Sequence, residues 1–241
     1  MALPKLQTPT YELVLPSTGE KIKFRPFIVR EQKKLLIAQE SGDDKVIADA
    51  IGDIVNSCTF GKIDPKSSPL FDIEFLFLRI RGKSVGETAT LMVTCPDDEK
   101  TQVKVKMNIE DINVHMTADH TNVIQLNNDI KLYMRYPVLA DMKDSILEGN
   151  MTDKVFDIMN TCIERIEWGE KTYQRVDMTK KELDDFIDSM NNEMLDNVIY
   201  FFDTSPKLRH VVQITNPKTN VKSEVDRKST RLNSSHGYIS Y

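Results

Sequence analysis

Asp53-Ile54-Val55-Asn56-Ser57-Cys58 returns later in the chain as Asp157-Ile158-Met159-Asn160-Thr161-Cys162. No other feature constrains the fold as strongly, because the echo is not isolated. Phe24-Arg25-Pro26 answers to Arg135-Tyr136-Pro137, Phe60-Gly61-Lys62 to Trp168-Gly169-Glu170, and Val93-Thr94-Cys95-Pro96 to Ile214-Thr215-Asn216-Pro217. The order is kept while the spacing widens. Repeated units generally bury their apolar faces against one another. The expectation is therefore an α+β fold, duplicated from one hairpin–helices–hairpin unit, with two similar lobes sharing a core: residues 1–112 and residues 113–225.

Local patterning fills in each lobe. Tyr11–Leu15 and Lys21–Phe24 alternate around Pro16-Ser17-Thr18-Gly19, a hairpin signal. Pro26 ends the second strand because proline has no N–H for a ladder. Residues 30–40 predict a helix, and Asp43-Asp44 opens another with Val46, Ala50, Ile54 and Val55 on its face. Phe71–Arg81 is strongly apolar and predicts a helix buried on most sides. Thr88–Thr94 and Gln102–Met107 form a second hairpin. The second half repeats this order. A hairpin over Val123–Leu126 and Ile130–Met134 precedes helices over Leu139–Leu147 and Asp153–Trp168. Another helix starts at Thr179 with Glu182 at capping-box spacing, and one more reaches about Phe202. A hairpin over Val211–Thr215 and Val221–Val225 closes the lobe.

After Val225 the composition changes abruptly. Residues 226–241 resemble a translated sequencing adapter, so they are expected to lie outside the fold. With 40% apolar and 29% charged residues, the chain is neither disordered nor membrane-spanning in composition. Met1–Thr10 has no apolar run of the secretory type. The net charge of −5 argues against the basic stripe that nonspecific nucleic-acid binding requires.

Candidate chemistry is thin. Cys58, Cys95 and Cys162 are too far apart in sequence for paired zinc ligands, and the first and last sit at equivalent positions on apolar helix faces. They read as small buried groups in a reducing compartment. His115, Asp119 and His120 would be the residues of a metal-dependent hydrolase, although an exposed loop fits them better. His210 is expected at the surface. Glu182, Asp184, Asp185 and Asp188 read as a solvated helix face. No phosphate-binding glycine loop, nucleophile elbow or paired-histidine zinc motif is present. Eleven methionines, among them Met151, Met159, Met178, Met190 and Met194, suit adaptable packing.

One short segment stands out. Phe24-Arg25-Pro26-Phe27 has a fixed φ at Pro26, an Arg25 biased toward extended geometry, and aromatics on both sides. It is either a strand-to-helix corner pinned by aromatic packing or an interface anchor, since Arg and aromatic residues dominate binding hot spots.

Two longer stretches, Phe24–Glu31 with Lys34-Leu35-Leu36 and Phe71–Glu87, together with the turn Thr94-Cys95-Pro96-Asp97-Asp98, resemble the small baseplate hub subunit and hub assembly protein family of T-even-like contractile-tailed phages. The resemblance covers residues 1–225. It implies a structural or assembly role in the tail baseplate hub. The implied partners are other phage hub proteins, met in the infected host's cytoplasm, with no nucleic acid, membrane or small-molecule substrate. It also implies no catalytic residues, no cofactor and no metal. Two other readings stand beside it: a host-encoded adaptor, and the metal-dependent hydrolase built on His115, Asp119 and His120.

Overall fold

A computed structural model describes residues 6–141 and 151–228. The fold is α+β, with helices set among several small antiparallel sheets. Its chain forms two compact units, Met1–His115 with Lys207–Tyr241, and Met116–Pro206.

The first unit opens with the expected hairpin. β1 (Tyr11–Val14) and β2 (Lys21–Phe24) pair so that Tyr11 lies opposite Phe24, and Gly19 takes a positive φ in the turn. Helix α1 (Val29–Ser41) stops at Gly42, whose left-handed backbone suits a residue without Cβ. Helix α2 (Asp44–Cys58) starts on Asp43, whose carboxylate accepts the Lys45 N–H at 2.8 Å. Ala50, Ile54 and Val55 are buried as expected, but Val46 is exposed, because the buried face of α2 starts at Ile47. Helix α3 (Leu70–Val85) is apolar on most sides and buried accordingly. These elements meet in one apolar cluster that includes Ile22, Phe24, Leu35, Ile54, Leu76 and Ile80.

The hairpin β3 (Thr88–Thr94) and β4 (Gln102–Asn108) forms a sheet of its own. A short strand, β5 (Asn113–His115), follows a single 3₁₀ turn. In the second unit β6 (Val123–Gln125), β7 (Ile130–Met134), β8 (Ile163–Trp168) and β9 (Lys171–Gln174) make one antiparallel sheet in that order. Helices α4 (Met151–Cys162), α5 (Lys180–Asp188) and α6 (Asn192–Thr204) accompany it. Their cluster draws in Met159, Met178, Met190 and Met194, so these four methionines fill core space.

The helix expected over 153–168 ends at Cys162. Ile163-Glu164-Arg165-Ile166-Glu167-Trp168 is a strand instead, held on one side by β7 and on the other by β9 across a tight turn at Gly169. Its β7 partners lie some thirty residues away, beyond the reach of local periodicity. The helix expected over 139–147 opens at Leu139, and its part beyond Asp141 lies outside the described residues.

The closing hairpin, β10 (Lys207–Thr215) with β11 (Lys222–Lys228), is longer than expected. β10 also pairs with β5, in the order β11-β10-β5. This pairing is why the closing hairpin belongs to the first unit, whereas the lobes expected from sequence, 1–112 and 113–225, place it in the second. The ladder also carries past Val225, with Asp226, Arg227 and Lys228 opposite Val211, His210 and Arg209. These three residues therefore extend a strand, although the change of composition after Val225 groups them with the tail that follows. The rest of that tail, residues 229–241, lies outside the described residues.

Candidate functional site

The Phe24–Phe27 segment is a corner between β2 and α1. Phe24 is 3% exposed and packs against Tyr11 with the rings tilted and their centroids 5.6 Å apart, and Phe27 is half-buried against the same cluster. Pro26 is buried between them. Arg25 turns back on its own neighbourhood. Its guanidinium donates to the Pro26 carbonyl at 3.0 Å and to Glu31 Oε1 at 3.0 Å, while its backbone N–H donates to the Cys58 carbonyl at 3.0 Å. Glu31 Oε2 accepts the Ile28 N–H at 2.8 Å, which caps α1. Burial pushes the Glu31 carboxyl up, but the Arg25 bond and the Ile28 N–H outweigh it, leaving the group below the ordinary carboxylate range.

The second unit holds a corresponding arrangement, with an aspartate in place of the glutamate. Arg135 donates to the Tyr136 carbonyl at 3.1 Å and to both oxygens of Asp141, at 2.7 and 2.9 Å. Its backbone N–H donates to the Cys162 carbonyl at 2.8 Å, and Asp141 Oδ2 accepts the Val138 N–H at 2.8 Å. Sequence reasoning does not single out Glu31 or Asp141. The signal that could find them is the shared spacing of six residues from each arginine.

The tips of two hairpins in the first unit are also fastened together. Asn216 is buried and donates to both Asp97 oxygens, at 3.0 and 2.9 Å, and the Thr219 hydroxyl donates to the same carboxylate. These bonds hold Asp97 below the ordinary carboxylate range. Behind the clasp, Val93, Cys95, Val212 and Ile214 form a small apolar cluster.

The residues with the potential for chemistry are placed as follows. His115 ends β5, opposite Lys207. Asp119 accepts the Tyr200 hydroxyl at 2.6 Å. The Thr204 hydroxyl donates to the Tyr200 carbonyl at 2.7 Å, so it accepts the Nδ1–H of His120 at 2.9 Å. That leaves Nε2 of His120 as a buried acceptor without a partner, among the rings of Tyr136 and Phe201. Burial lowers the His120 pKa, with Asp119 working the other way. His210 is half-buried in β10. Glu182 serves the capping box at Thr179, and Asp184 accepts the Asn160 amide at 2.5 Å. No group of three His, Cys, Asp or Glu side chains converges as a metal site would among the described residues. Burial pushes the Cys58 thiol up to about 11 and the Cys162 thiol up to about 12, away from the depressed values that activate a nucleophile. No helix among the described residues is long and apolar enough to cross a membrane.

The family model described as T4 bacteriophage base plate protein matches residues 8–231, nearly the whole chain. The chain belongs to this base plate protein family. No match was found among curated proteins or solved structures. As a base plate protein it acts within a multi-protein assembly of the phage tail, so its partners are other baseplate components. Against that background, both arginine corners and the Asp97–Asn216 clasp read as devices that fix loop ends in place.

Proposed function

We propose that this base plate protein is a non-enzymatic hub component, working through protein contacts while the tail assembles in the host cytoplasm and remaining at the baseplate of the virion. One observation carries the reading. The polar groups that catalysis would draw on are engaged in fold-building bonds: Glu31 and Asp141 on arginines and helix starts, Asp119 on Tyr200, His120 on Thr204. The family match over residues 8–231 supplies the assembly context. The resemblance of Phe24–Glu31 and Phe71–Glu87 to the hub family supplies the position within it.

The corresponding bonds at Arg25 and Arg135 also support descent of the two halves from one duplicated unit. In this reading the Phe24–Phe27 corner is a structural element first, since its aromatic and charged groups are committed inward.

The test is co-expression of the full chain with the hub proteins of the same phage, followed by affinity capture and native mass spectrometry. A defined complex with hub proteins is the expected result. Capture of peripheral baseplate proteins alone would remove the hub assignment, and capture of none would remove the assembly role.

A further inference from the structure

Arg81 differs from the other buried polar residues. Eight polar or charged residues are buried among the described residues. Seven of them hold a hydrogen-bond partner, such as Asp72 with Ser17, Asn160 with Asp184 and Asn216 with Asp97. Arg81 is 7% exposed, no described residue offers its guanidinium a hydrogen bond or a carboxylate, and its side-chain nitrogens still reach solvent through a narrow opening. Desolvation is the only influence on its charge, and it works against that charge. The neighbouring Arg79 shows the contrast, since it caps the carbonyls of Ile109 and Ile112 at 2.8 and 2.9 Å. A guanidinium so nearly enclosed, with no carboxylate beside it, keeps only the hydration that its opening allows.

Its surroundings suit a contact. Val85 lies one turn further along α3 on the same face and is half-exposed. Ser84 Oγ accepts the Phe27 N–H at 2.9 Å, which brings the exposed Ile28 and Val29 out beside the end of α3. A withdrawn arginine with apolar residues nearby has the composition of a binding hot spot. Its planar fork matches a carboxylate bidentately, as Arg135 matches Asp141 elsewhere in this protein.

We infer that Arg81 receives an acidic side chain, flanked by apolar residues, from another baseplate protein. The inference rests on the assembly reading above and names the chemistry of one contact within it. The opening through which the guanidinium meets water is where the partner's carboxylate enters on docking.

The experiment compares the full-length wild type, Arg81→Met and Arg81→Lys in binding to the baseplate protein that the wild type captures, with a melting curve for each. Arg81→Met keeps the volume and removes the charge. Its melting temperature should equal or exceed the wild type's, while its affinity falls at least about tenfold. Arg81→Lys should fall between, because it keeps the charge and loses the fork. Wild-type affinity in Arg81→Met would overturn the inference. So would a lowered melting temperature in that variant, which would make Arg81 a structural group. A wild type that pairs only with itself would assign the face to a second copy and overturn it as well. A wild type that captures no baseplate protein would bring down the assembly reading and this inference with it.

Discussion

Asp141 receives Arg135 on both carboxylate oxygens, at 2.7 and 2.9 Å, where Glu31 gives Arg25 one oxygen at 3.0 Å and keeps the other for the Ile28 N–H. The two acids do the same two tasks, holding an arginine and starting a helix. Removing either leaves an arginine without its carboxylate, largely buried at Arg25 and a third exposed at Arg135. Glu31→Ala and Asp141→Ala should each cost about 3 kcal/mol, read as a shift in the urea midpoint. A midpoint equal to the wild type's would mean that aromatic packing alone holds the corner.

The acid limb of stability should depend on Glu31. Its carboxyl is depressed in the folded state, so its stabilisation is present above the ordinary glutamate pKa of about 4.3 and lost as pH falls through the folded value. Asp72 works in the opposite sense. Burial raises its carboxyl despite the Ser17 bonds, so the fold loses stability as pH rises from the ordinary aspartate value through the raised one. Glu31→Gln should flatten the melting profile at the acid end. Asp72→Asn should hold or raise the melting temperature at pH 7. A fall at pH 7 in Asp72→Asn would show that the ionised carboxylate is needed.

The two aromatics of the corner should separate by burial. Phe24→Ala should cost about 3–5 kcal/mol and Phe27→Ala about 2 kcal/mol, because only Phe24 is fully enclosed. Equal losses in denaturant unfolding would contradict this assignment.

Cys58, Cys95 and Cys162 are all buried and all raised by desolvation. In native protein at pH 8 they should resist iodoacetamide, with labelling followed by mass spectrometry. Denaturant should expose all three. Native labelling at the rate of a free thiol would show an opening that the fold does not contain.

Asn216→Ala removes the donor that reaches both oxygens of Asp97. A loss of about 1–3 kcal/mol is expected, with faster amide exchange at the hairpin tips. Unchanged exchange there would mean that the apolar cluster at Val93 and Val212 suffices.

Features written in adjacent residues are legible in the sequence alone. The Thr179–Glu182 capping box, the hairpin turns and the apolar length of α3 are local, and each forms where its residues place it. The strand at Ile163–Trp168 is not legible in this way, because β7 and β9 decide it and their contribution is tertiary. The same holds for the pairing of β10 with β5, which moves the closing hairpin into the first unit. At the candidate site, Arg25 stands out beside a proline and two aromatics. Its partner Glu31 does not, since the choice between solvent and an arginine depends on how the corner folds.

The central strand of the sheet β11-β10-β5 comes from the far end of the chain, with the whole of Met116–Pro206 intervening before its partner β5. A ribosome that has released the first hundred residues has therefore not released what completes their sheet. At about 5–20 residues per second, the N-terminal unit waits several seconds with one edge open. Translation that stops early leaves β5 without its partner strand, and an edge left open in this way is a template for pairing with another chain.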